Sequence, residues 1–267
     1  MAQRVSHFIV AVLSVAVSTP IGATAPPDLA SLSTSKPVAD FISKNESKPD
    51  WLTESCIDFE HCSTFNYHRK DYTLSGDAHA AFKKMMSMHG PDLWHGSSQF
   101  SLMYDPKTKS YYDSKSNHIS SFEVGQVYFL DLTILKKLHM PVAFKITEID
   151  YAHMTLSYSY VKSNKSQGIQ RFKFVQKPNG QFVVEHETRF KSASKLRDAL
   201  LYRKFHEKLL DDFYDDFQVA LLNSALVSSP GSESAQSQSI YDGTRKLAPA
   251  PFHLRDAVPV GTSDTAD

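Results

Sequence analysis

The stretch Ile169–Phe190, IQRFKFVQKPNGQFVVEHETRF, sets two alternating runs around a Lys177-Pro178-Asn179-Gly180-Gln181 turn. Pro178 and Asn179 suit the central positions of a type I turn, and Gly180 suits the left-handed residue of a G1 bulge. This turn places Lys177 opposite Gln181, so Phe174 falls opposite Val184 and Phe172 opposite His186. On the other face Lys173 meets Glu185 and Arg171 meets Glu187. A two-residue Asn179-Gly180 loop would slide the pairing by one and set Phe172 and Phe174 against Glu187 and Glu185. The charges therefore select the bulged turn, and the hairpin presents an apolar face that needs a cover.

A cover follows in sequence. From about Ser194, a suitable N-cap, to about Asn223, the residues Tyr202, Phe205, Leu209, Phe213, Phe217 and Leu221 recur at spacings of three and four. The spacing predicts one long amphipathic helix. Ordinary core packing accounts for its stripe, and the bulk of Phe205, Phe213 and Phe217 would also suit closure over a ligand.

Working outward, Phe65–Leu74 reads as a strand, and Asp77 caps a short helix through Met88 with Ala81, Phe82, Met85 and Met86 on its apolar side. His89-Gly90-Pro91 ends it, with a further helical turn around Asp92–His95. Strands are predicted at Ser98–Tyr104, Gly125–Thr133, Val142–Asp150, Thr155–Val161, Gly168–Gln176 and Gln181–Phe190, with Asp105-Pro106-Lys107 as a turn. Strand, helices, a meander of strands and one long helix make an α+β domain, an antiparallel sheet with helices on one side.

The 267 residues carry 29 basic and 29 acidic side chains, a balance that gives no electrostatic reason to expect nucleic acid. Phe8–Val17, after Arg4, is too short to span a bilayer but has the length of a signal-peptide core, so residues 1–25 read as an export signal. Residues 26–50 read as a polar linker, 51–224 as the folded domain and 225–267 as a disordered polar tail. Cys56 and Cys62, the only cysteines, read in an exported chain as a short disulfide loop. The alternative is a metal site of Cys56, His61, Cys62 and His68, whose spacing matches no familiar zinc knuckle.

Four segments carry a family resemblance: Phe122–Tyr128 (FEVGQVY), Val142–Ile149 (VAFKITEI), Gly168–Phe172 (GIQRF) and Phe190–Asp198 (FKSASKLRD), with Phe205-His206 on the helix. Over about Tyr67–Ser224 the chain resembles the START-like superfamily, also called SRPBCC or Bet v 1-like. The resemblance implies a helix-grip fold, a curved antiparallel sheet wrapped around a long C-terminal helix with an apolar cavity between them. The family includes lipid carriers, small-molecule binders, cyclases and hydrolases, so the resemblance implies a fold more than an activity.

On that fold, alternation turns Tyr158, Tyr160, Phe172, Phe174, Val184, His186 and Thr188 toward the helix. An apolar face with a few polar tips is the composition of an orienting pocket. The expected ligand-binding residues are Tyr158, Phe172, Val184, His186, Thr188, Phe213 and Phe217, although the polar tips could equally bond to one another inside a filled core. The leading expectation is an exported binder or carrier of a hydrophobic small molecule or lipid. One alternative is a cyclase- or hydrolase-type enzyme using His186 as acid or base beside Tyr158 or Thr188. Another is an interaction module with a collapsed cavity. No catalytic motif, cofactor, metal or membrane span after signal removal is expected, and no protein partner is identified. His153 and His206 read as structural, and Asp211, Asp212, Asp215 and Asp216 as a solvated helix face rather than a cation site.

Overall fold

A computed structural model describes residues 29–119, 121–134, 138–192 and 203–227. Eight strands form one antiparallel sheet: β1 (Asn66–Ser75), β2 (Ser98–Asp105), β3 (Ser110–Tyr112), β4 (Val127–Ile134), β5 (Leu138–Asp150), β6 (Thr155–Tyr160), β7 (Ser166–Gln176) and β8 (Gln181–Ser192). Their spatial order is β1-β8-β7-β6-β5-β4-β2-β3, so the first strand lies beside the last. The helices are α1 (Lys36–Asn45), α2 (Ala78–Met86), α3 (Gly90–Leu93) and α4 (Arg203–Val227). Two helices between β1 and β2, a descending meander and a long final helix on the sheet are the helix-grip arrangement of an α+β domain.

The β7–β8 hairpin has the register that its turn chemistry demands. Phe172 lies opposite His186, Lys173 opposite Glu185 and Phe174 opposite Val184. Gly180 adopts φ 73°, and the Lys177 N–H donates to the Gln181 carbonyl at 2.8 Å. Arg171 Nε donates to Glu187 at 2.9 Å, while Glu185 is held at 2.9 Å by Arg69 of β1, which extends the charge pattern to a third strand. At the start of α2 the Asp77 carboxylate accepts from the Ala80 N–H at 2.7 Å, and Ala81, Phe82, Met85 and Met86 are buried.

The inward face of α4 is turned from the expected stripe. His206, Leu210, Phe213, Tyr214 and Phe217 are buried, whereas Phe205, Leu209 and Leu221 are half-buried along its flank. A pattern read from apolar residues alone passes over His206 and Tyr214, which sit inside because hydrogen-bond partners await them there. Tyr202 and the expected cap Ser194 lie outside the described residues.

The expected linker at 26–50 is corrected by the structure. Pro37 opens α1, and Val38, Phe41 and Ile42, at helical spacing, turn to the face of the sheet opposite α4. Val38 and Ile42 are fully buried against a core that includes Leu102, Val127, Phe129 and Ala143, and the Phe41 and Trp51 rings stand 6.3 and 6.0 Å from Phe129. The Ser33 N–H donates to Asp113 at 2.8 Å, and the hydroxyls of Thr34 and Ser101 bond at 2.7 Å. Abundant Ser, Pro and Lys disguised a segment with three well-placed apolar side chains. The folded unit thus begins before Trp51, and the expected signal at 1–25 and most of the tail, from 228 onward, lie outside the described residues.

Cys56 and Cys62 form a disulfide with Cα atoms 6.0 Å apart, buried against Ile169 with Phe59 and Phe65 alongside. Joined sulfurs leave no thiolates for the alternative metal site, and His68 bonds instead to Glu207 at 2.9 Å. Among the described residues no helix is long and apolar enough to cross a membrane.

Candidate ligand cavity

Strand alternation assembles the inner face row by row. Leu132 lies opposite Met140, Leu130 opposite Val142 and Tyr128 opposite Phe144 across β4–β5. Tyr158 lies opposite Gln170 across β6–β7, and Gln170 opposite Thr188 across β7–β8. These rows face α4, but the space beneath the helix is filled unevenly.

Between the N-terminal part of α4 and the ends of β4 and β5 lies a cavity of about 360 Å³. Its walls are Leu132, Ile134, Leu138, Met140, Val142, Phe205 and Leu209, and His139, Asn164, Lys165 and Ser166 also border it. A second space of about 60 Å³ shares Leu132, Val142, Tyr160, His206 and Leu209 with the first and extends to Ser98, Tyr158, Gln170, Phe172 and Phe213. The two adjoin across these shared walls, a larger outer cavity and a smaller inner chamber.

Gln170, buried on β7, organises the polar end. Its Oε1 accepts from the Tyr158 hydroxyl at 2.9 Å, from His186 Nε2 at 2.7 Å and from His206 Nε2 at 3.3 Å, while its Nε2 donates to the Tyr160 hydroxyl at 2.6 Å. Three donors converging on one oxygen fix the amide orientation and put the His186 proton on Nε2. The remaining His186 nitrogen, Nδ1, then accepts from the Tyr214 hydroxyl at 3.4 Å. Burial, reinforced by His206 and His68, holds His186 well below the usual imidazole range. Burial, followed by His68, pushes His206 down to about 3. Burial also raises Tyr158 and Tyr214, so the network is uncharged at neutral pH.

Of the expected ligand-binding residues, Tyr158, Phe172 and Phe213 line the inner chamber. Val184, His186, Thr188 and Phe217 are fully buried and line neither space. The cavity expected between the hairpin face and the helix is closed there by aromatic packing. Phe172 stacks on Phe213 at 5.8 Å, His186 meets Phe172 edge-on at 4.3 Å, and Phe217 meets Phe174 at 6.1 Å. His186, with both ring nitrogens bonded within the protein, has no route to a substrate in either space. Thr188 Oγ1 is buried without a hydrogen bond among the described residues.

Leu132, Met140, Val142 and His206 are the site residues that sequence reasoning missed. A signal existed: Val127–Ile134 is a nearly continuous apolar run, the pattern of a strand buried on both faces, and its inner positions near the β4–β5 turn carry slender side chains rather than rings. Three of the four aspartates of α4 turn to different partners. Asp211 accepts from Lys70 and from the Tyr72 hydroxyl, Asp212 from Lys208 at 2.7 Å, and Asp216 pairs with His95 at 3.3 Å. His153 bonds Asp150 at 2.6 Å in an exposed turn.

No family model matches the chain, and no curated protein matches it by sequence. Solved structures do. A norcoclaurine synthase point mutant of Thalictrum flavum, in complex with a transition state analogue, aligns at 11% identity and TM-score 0.45 over 60% of this chain and 96% of its own. Ara h 8.0201 aligns at 17% and 0.41, over 61% and 99%. A START superfamily protein of Mycobacterium smegmatis aligns at 8% and 0.43, over 59% and 98%. The strand order and the grip helix, rather than these distant likenesses, carry the conclusion that the chain has a START-like, Bet v 1-like helix-grip fold.

Proposed function

We propose that the protein is an exported binder or carrier of a hydrophobic small molecule or lipid, held between the β4–β5 end of the sheet and the N-terminal part of α4. The observation that carries this reading is the apolar cavity of about 360 Å³, within the span of small-molecule sites, with hydrogen-bonding groups gathered at its inner end. Export is supported by the Phe8–Val17 segment after Arg4 and by the Cys56–Cys62 disulfide, a bond typical of oxidising compartments. Val142 borders both spaces, so Val142→Trp should abolish uptake of a neutral fluorescent probe such as N-phenyl-1-naphthylamine while cooperative unfolding persists. Uptake by the well-folded variant equal to wild type would place binding elsewhere, and no uptake by wild type at micromolar probe would remove the reading.

A further inference from the structure

Resting on the reading that this cavity holds a hydrophobic ligand, we infer that the inner chamber selects a small uncharged end group, a hydroxyl or carbonyl inserted head first, and rejects a carboxylate. Its polar lining is Ser98, Tyr158, Tyr160, Gln170, His206 and the indole of Trp94, and among the described residues no Lys, Arg, Asp or Glu borders it. An inserted carboxylate would lose its hydration and meet no cation among the described residues, and burying an unpaired charge is far costlier than burying a hydrogen-bonded hydroxyl.

Two groups in the chamber retain hydrogen-bonding capacity. Ser98, only 7% exposed, lies opposite Leu132 on the inner face, and its hydroxyl has no hydrogen bond among the described residues. Gln170 uses its carbonyl for three donors and one N–H for Tyr160, which leaves its second amide hydrogen without a partner among the described residues. A ligand oxygen can accept from either, and a hydroxyl can also donate to Ser98 Oγ. The chamber, about 60 Å³, exceeds the ~10–15 Å³ that one water needs and suits an end group of a few atoms, not a phospholipid headgroup.

The test uses the full chain, folded under oxidising conditions and loaded with N-phenyl-1-naphthylamine. Competition compares dodecanol, dodecanal and dodecanoate at neutral pH. The alcohol and aldehyde should displace the probe at concentrations about tenfold or more below the carboxylate. Ser98→Ala should shrink that gap several-fold, and Ser98→Thr, which keeps the hydroxyl, should restore it. Equal or better displacement by dodecanoate, or a Ser98→Ala variant with an unaltered gap, overturns the inference and leaves the cavity reading intact. Failure of wild type to take up the probe removes the cavity reading and this inference with it.

Discussion

Beneath the middle of α4, Phe82, Phe174 and Phe217 meet ring against ring; under its N-terminal part, Leu132, Met140 and Val142 leave about 360 Å³ open. Both regions belong to the inner face of one sheet and both obey the same alternation. What separates them is side-chain volume. Rings stacked from strand to helix bridge the gap between layers, whereas aliphatic chains at the β4–β5 end do not reach across it. A grip fold therefore does not place its cavity by topology alone.

The contrast is broken most severely by truncation. Phe174→Ala in the filled region should cost about 3–5 kcal/mol, because neighbours locked in ring contacts cannot collapse into the void. Met140→Ala, half-buried beside existing space, should cost about 1 kcal/mol or less. Urea unfolding of the two variants measures both, and equal losses would show that the two regions are packed alike.

Acid should sharpen the comparison, since the buried imidazoles sit where the two regions meet. His206 and His186 take up protons near 6.5 when unfolded, but in the fold burial holds His206 to about 3 and His186 well below its ordinary value. The unfolded chain thus binds more protons below pH 6.5. Stability from these groups is complete above that pH and drains as pH falls, by about 1.4 kcal/mol per pH unit for each imidazole kept neutral, and for His206 the loss runs down to about 3. A denaturation midpoint that stays level from pH 7 to 5 would contradict the sealed network, and His206→Phe should make the fall shallower.

The smallest effects belong to the hairpin tip, outside both regions. An added Cβ at Gly180 meets nothing within 4 Å, so Gly180→Val should cost about 1 kcal/mol through its left-handed backbone alone. Lys173→Ala, on the exposed face, should cost well under about 1 kcal/mol. Equal shifts in thermal midpoint would deny the bulged turn its role.

The hairpin was legible because its turn, its charges and its apolar alternation all demanded one register, and the Asp77 cap was equally local. The packed state of the inner face was not, because whether a gap is filled depends on which rings meet across the layers. Phe172 stacking on Phe213 joins β7 to α4, a meeting no local pattern announces. His206 escaped for a related reason: a histidine on a helix signals nothing until Gln170 is seen opposite it. Helix α1 was hidden by composition, since Val38, Phe41 and Ile42 stand among polar neighbours.

That helix bears on how the chain acquires its shape. Val38 and Ile42 rest on residues of β4 and β5, Thr34 bonds Ser101, and β1 pairs with β8, more than a hundred residues on. A chain made from its N-terminus must therefore carry these apolar side chains uncovered until much later segments appear. The Cys56–Cys62 loop, closed over a separation of six residues, by contrast needs only local sequence. Such a high contact order slows folding, and the interval before β8 arrives is when this protein is most exposed to misassociation.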